Sequence, residues 1–185
     1  MIRETARARR FTVDEYERMG DLDIFRPDER LELVDGQIWV KNQLTPLEAT
    51  ILTLLRHTLG QVFKKGAFVR PQFPLIPDKW SMPEPDVAVV VGVPDDYLEE
   101  HPRHALLVVE ISGTTLAADR GTKAAVYARA GIEDYWIVNV VENVVEVHRD
   151  PQGSRYKSMK RVTAKGSVTP LAAPKRKIPV ASFLR

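Results

Sequence analysis

PEPDVAVVV, residues 83–91, and ALLVVEIS, residues 105–112, decide how this chain is read. The runs at 87–91 and 105–111 are short and almost wholly apolar, the composition of central strands covered on both faces. One residue breaks the pattern: Glu110 sits where every neighbour favours a dry environment. A carboxylate taken out of water is costly unless a cation meets it. Two readings follow, a buried ion pair or a metal or catalytic site at the end of a central strand. Asp86 opens the first run after Pro83-Glu84-Pro85, whose prolines fix the backbone that presents it. Taken alone, Asp86 also suits a turn leading into a strand. Two carboxylates at the ends of neighbouring strands would repel each other. A divalent cation removes that repulsion, and hard oxygen ligands select Mg²⁺ or Mn²⁺.

Outward from these strands the chain alternates helical and extended patterns. TVDE at 12–15 has capping-box spacing and predicts a helix from Thr12 to about Met19, stopped by Gly20. RLELVDGQIWV, 30–40, reads as a hairpin about Asp35-Gly36. Within it Glu32 points away from Leu31 and Leu33, towards solvent or towards a site. Residues 46–63 begin with Pro and carry Leu47, Ile51, Leu54, Leu55 and Val62 at helical spacing. FVRPQFPLI, 68–76, is an irregular or edge strand, because its prolines cannot donate to a ladder. Thr115 to Ala130 predicts a helix ended by Gly131, and 135–149 a second hairpin turning near Glu142-Asn143. Strands flanked by helices give an α/β fold, a mixed sheet covered by helices with additional hairpins.

Asp119, Lys123 and Tyr127 are spaced by four and form one helical stripe. Asp119 and Lys123 make a surface ion pair if that stripe faces water. If it faces the sheet, Lys123 holds or activates a water at the metal. The four histidines (His57, His101, His104, His148) lack metal-ligand spacing. No Gly-rich phosphate loop and no G-x-S-x-G elbow is present.

The 185 residues suit one domain, 1–185. The absence of Cys excludes disulfides, thiolate metal sites and a Cys nucleophile. The N-terminal MIRETARARR lacks the apolar stretch of a signal peptide, and no apolar run approaches the roughly 20 residues of a membrane span. The expectation is a cytoplasmic protein without membrane contact. Formal net charge is +2, unevenly spread: all 25 acidic residues lie within 1–150, and 151–185 holds nine basic residues. Such asymmetry hints at a polyanion, and Lys175, Arg176 and Lys177 form its densest cluster. Solvated strand faces and loops account for the same charges.

The order ERLELVDG, PEPDVAVV, LLVVEIS and DRGTKAAVYARAGIEDYWIV resembles the bacterial Uma family of restriction-endonuclease-like proteins, of the PD-(D/E)XK nuclease fold. The resemblance spans about 12–150, the nuclease core, and leaves 151–185 as basic C-terminal strands. It implies a metal-dependent endonuclease acting on nucleic acid, DNA by expectation. Asp86 and Glu110 match the motif's metal ligands. Lys123 matches a lysine displaced from the strand to the following helix, Glu32 an early acidic residue. Asp119 and Tyr127 match positions around that lysine, and Gln72 a frequent glutamine. Two places depart from the pattern. Ser112 stands where the written motif has its lysine, a displacement the family shares. Glu48 stands where relatives often carry a His. The second departure leaves an alternative open, a catalytically degraded nuclease fold serving as a binding or assembly module. Cutting both strands with one site per chain implies a homodimer.

Overall fold

The computed structural model describes residues 8–184; Arg185 and residues 1–7 of the basic N-terminal stretch lie outside the described residues. Helix α1, Val13–Asp21, starts at Thr12. The Thr12 hydroxyl accepts from the Glu15 N–H at 3.2 Å, and Glu15 Oε2 accepts from the Thr12 N–H at 3.0 Å. The helix runs through Gly20, expected to stop it, and ends when the Leu22 N–H reaches back to the Arg18 carbonyl. Strands β1, Leu31–Val34, and β2, Gln37–Val40, form the expected hairpin. Asp35 and Gly36 have φ of 51° and 80°, the left-handed pair that a two-residue turn between twisted strands requires.

Helix α2, Pro46–Val62, is capped like α1, with Thr45 and Glu48 as the reciprocal pair. Its buried stripe is Ile51, Leu55 and Leu59. Leu47, expected on that stripe, is exposed. It lies in the first turn, ahead of the part that packs on the sheet.

Six strands make the main sheet, in chain order: β3 Ala67–Pro71, β4 Val87–Val91, β5 Leu107–Ser112, β6 Asp134–Asn139, β7 Val144–Gln152 and β8 Arg155–Thr163. All neighbours are antiparallel except β5 and β6, which are parallel. A parallel pair needs a crossover. It is supplied by α3, Leu116–Ala118, a π-helical turn, Asp119–Lys123, and α4, Ala124–Arg129. The sequence pattern predicts one uninterrupted helix here; the π turn is the difference.

The period of two along a strand divides the core. Val87, Val89, Leu107 and Val109 pack against Ile51, Leu55 and Leu59 of α2. Ala88, Val90 and Val108 pack with Val126 and Tyr127 of α4 on the other face. By the same alternation Asp86 and Glu110 belong to the α4 face. The C-terminal segment completes the α2 side. Strand β9, Ser167–Val168, pairs with β10, Ile178–Pro179, and Val180, Phe183 and Leu184 are buried beyond it. Asp134 pins this segment down, accepting from the Leu171 N–H at 2.8 Å and from Arg149 Nε at 2.9 Å. Among the described residues, no helix is long and apolar enough to cross a membrane.

Gly36 combines a left-handed φ with contact: a Cβ built there would lie 2.6 Å from Arg10 Cβ. Gly36→Ala is therefore expected to cost about 1–3 kcal/mol, read as a lower urea midpoint with unchanged slope. Wild-type stability would show that the turn does not depend on glycine.

Candidate active site

Asp86 stands one residue before β4, and the edge strand β3 fixes it there. The Gln72 N–H donates to the carbonyls of Pro85 and Asp86 at 3.1 and 3.2 Å. Gln72 adopts φ 51°, unusual for a residue with a Cβ. This conformation accompanies a hydrogen bond from its side-chain amide to Asp86 Oδ1 at 3.3 Å. Asp86 Oδ2 accepts from the Ile111 N–H at 2.8 Å, so its carboxylate spans β4 and β5 just beyond the last ladder pair, Val87 with Val109.

Glu110 projects from β5 towards the crossover helix. Its Oε1 accepts from Lys123 Nζ at 3.1 Å and from the Tyr127 hydroxyl at 2.8 Å. Its Oε2 has only a long contact, 3.4 Å, from the Asp86 N–H. Lys123 Nζ also donates to Glu32 Oε1 at 2.9 Å, and Glu32 Oε2 accepts from the Glu84 N–H at 3.0 Å. Asp119 accepts from Ser112 Oγ and Thr115 Oγ1, each at 2.6 Å. Ser112 and Glu110 thus share a face, as two residues apart on a strand should.

Both surface readings fail. Lys123 is 6% exposed, Asp119 2% and Glu32 4%, as buried as Asp86 at 6% and Glu110 at 3%. The stripe faces the sheet. A π turn adds a residue to the helical circuit and recurs at functional sites. Here Asp119 and Lys123 turn inward, while Arg120 turns out to Glu146 and Glu142 across the sheet.

Four buried carboxyl groups therefore share the centre with one ammonium, two of them in contact with it. Burial pushes the Glu110 carboxyl up to about 8; Asp119, Asp86 and Glu32 add to that rise and Lys123 opposes it. Burial likewise raises Asp119, against Lys123 and its two hydroxyl donors. Burial alone would depress Lys123, but Glu110, Glu32 and Asp119 hold it above the ordinary lysine range. These carboxylates favour the ammonium form, and the centre holds more carboxyl groups than cations.

Among the described residues, no three His, Cys, Asp or Glu side chains form a ready-made metal cluster. The donor chemistry nonetheless fits Mg²⁺ or Mn²⁺, for which one or two carboxylates completed by water and phosphate oxygens suffice. Asp86 and Glu110 each keep one oxygen with only a long partner, and both line a cleft of about 370 Å³ with Lys123.

Asp86, Glu110, Lys123, Glu32, Asp119, Tyr127 and Gln72, picked from separate stretches of sequence, thus meet at one centre. Lys175, Arg176 and Lys177 are outside it, exposed in the loop before β10. Lys41 was not anticipated: its Nζ donates to the Glu84 carbonyl at 2.6 Å on the cleft wall. As a single lysine at a strand end it carries no spacing signal. Thr115, four residues before Asp119, carried a legible one.

Comparison with known proteins places the chain in a family. The family model Uma2, described as "Putative restriction endonuclease", matches residues 13–181. Among solved structures, a putative nuclease belonging to DUF820 from Anabaena variabilis superposes with a TM-score of 0.71. It shares 16% sequence identity, and the match covers 94% of this chain and 97% of that one, a likeness of fold. The search of curated proteins gave no match.

Removing one partner of a buried ion pair strands the other, at about 3–5 kcal/mol. Lys123→Met should lose stability of that order at pH 8. A carboxyl whose folded pKa exceeds its unfolded value costs stability as pH rises between the two, here from 4.5 to about 8. Without the ammonium that cost deepens, so the deficit of the variant should be larger at pH 8 than at pH 5 in urea titrations. A deficit independent of pH would mean that Lys123 does not neutralise Glu110.

Proposed function

The chain belongs to the Uma2 family of putative restriction endonucleases, and from that membership we propose a divalent-metal-dependent phosphodiesterase that cleaves DNA in the cleft of Asp86 and Glu110. The observation that carries this reading is the excess of buried carboxyl groups over cations around Glu110. Such an arrangement is costly as a structural device and useful to a cation.

In this reading Asp86 and Glu110 hold Mg²⁺ or Mn²⁺. When bound, the ion offsets the charge of the phosphate and of the leaving oxygen. Gln72 and the Ile111 N–H fix the Asp86 carboxylate, and Tyr127 fixes Glu110 through the oxygen that faces away from Asp86. Lys123 is the cation beside the reacting phosphate, held by Glu32, and it orients the attacking water or offsets charge on phosphorus. Asp119 acts from behind, through Ser112 and Thr115. The basic C-terminal segment grips the DNA backbone, which gives affinity without sequence choice. Two copies related by a two-fold axis would place one site on each strand.

Three measurements test this. Mg²⁺ or Mn²⁺ should raise the melting temperature by mass action. Asp86→Asn should keep or raise the stability of the metal-free protein, because the Gln72 amide can turn its oxygen to the new amide, and should lose the metal response. An Asp86→Asn protein that gains as much from metal as wild type removes Asp86 as a ligand. Supercoiled plasmid with Mg²⁺ or Mn²⁺ should be nicked or linearised by wild type only. Metal binding without cleavage would favour the binding-module alternative. Replacing Lys175, Arg176 and Lys177 by Gln should flatten the salt dependence of DNA affinity by up to about three counterions; an unchanged slope removes that loop from the interface.

A further inference from the structure

Hydrolysis needs a group that takes the proton of the attacking water, and the residues at the centre are poorly suited to it. Lys123 Nζ is engaged by Glu32 Oε1 and Glu110 Oε1 at 2.9 and 3.1 Å. Glu32 is held on both oxygens, by Lys123 and the Glu84 N–H; Asp119 takes both hydroxyl donors on Oδ2 and, at 2% exposure, has little solvent to which it could pass a proton on. Asp86 and Glu110 are the metal ligands of the proposed reaction.

Glu48 lines the same cleft from the first turn of α2. Its Oε2 is fixed by the capping box, accepting from the Thr45 N–H and hydroxyl, each at 2.8 Å. Among the described residues Oε1 has no hydrogen-bond partner, and it points at Gly113, directly after β5. A Cβ at Gly113 would lie 2.7 Å from it. The φ of Gly113 is outside the left-handed region, so the backbone does not demand glycine there. The approach of the carboxylate does. A rigid carboxylate with one free oxygen, half exposed, faces the cleft across a residue that leaves it room.

We propose that Glu48 is the proton acceptor for the attacking water, a role that rests on the phosphodiesterase reading. The water oxygen bonds to phosphorus while the bond from phosphorus to the leaving sugar oxygen breaks. The water's proton passes to Glu48 Oε1 and then to bulk solvent, and the leaving oxygen takes a proton from solvent. The capping box orients the acceptor, so one residue serves both the helix and the reaction.

The test is single-turnover cleavage of a labelled DNA duplex with Mn²⁺ by wild type, Glu48→Gln, Glu48→Ala and Gly113→Ala. Gln is accepted at this capping position, so Glu48→Gln should melt like wild type and bind Mn²⁺ equally in calorimetry. Its cleavage should fall by about 10²-fold or more. Gly113→Ala, which displaces the intact carboxylate, should also slow cleavage, and formate should restore part of the rate to Glu48→Ala. Glu48→Gln cleaving within a few-fold of wild type overturns the assignment while the nuclease reading stands. Loss of Mn²⁺ affinity in Glu48→Gln overturns it too, by making Glu48 a ligand. Wild type that cuts nothing overturns the nuclease reading and this inference with it.

Discussion

The Lys123 ammonium, buried between Glu32 and Glu110, is the contact on which the rest of the centre depends. It joins three pieces: the β1–β2 hairpin, the main sheet and the crossover helix. The hairpin forms a sheet of its own and meets the 80–82 segment through the Leu33–Met82 bridge and the Asp35 and Gly36 N–H groups. Through Glu32 a chain of contacts runs from the Glu84 N–H to Lys123, Glu110 and the Asp86 N–H. Buried ion pairs contribute little net stability, because desolvation offsets attraction. What this one supplies is position: it turns Glu32 of the hairpin towards Glu110 of β5, beside the Asp86 that the Ile111 N–H already holds.

Those parts of the centre that lie in strands were legible because strand rules are local. Glu110 declared itself by interrupting an apolar run, and the prolines before Asp86 marked a fixed backbone. Asp35-Gly36 and the Thr12-x-x-Glu15 cap are short-range signals, and each forms its turn or helix start. The basic C-terminal strands were visible as charge. That their apolar residues close the core beneath α2 was not, since charge says nothing about which face Phe183 seeks.

What stayed hidden depends on contacts between distant segments. The direction of Glu32 is set by Lys123, ninety-one positions later. Spacing by four placed Asp119, Lys123 and Tyr127 on one stripe, but it could not say whether water or the sheet lay opposite, nor that a π turn would interrupt the helix. Leu47 fits the helical period and is nonetheless exposed, because period identifies a face and not how far along the helix that face is covered. Glu48 was noted only as a departure from relatives. Its aim at Gly113 is a matter of three dimensions.

The sheet ends on β8, nine residues long and exposed along nearly all its length. Such an edge presents free amide and carbonyl groups to any other extended chain. Arg155, Lys157, Lys160 and Arg161 are exposed along it, so a second copy arriving edge to edge would set cations against cations. The border is closed to the chain's own kind and open to acidic company. Concentrated salt, which shortens the reach of charge to about 3 Å at 1 M, would take away the guard and leave a sticky margin exposed.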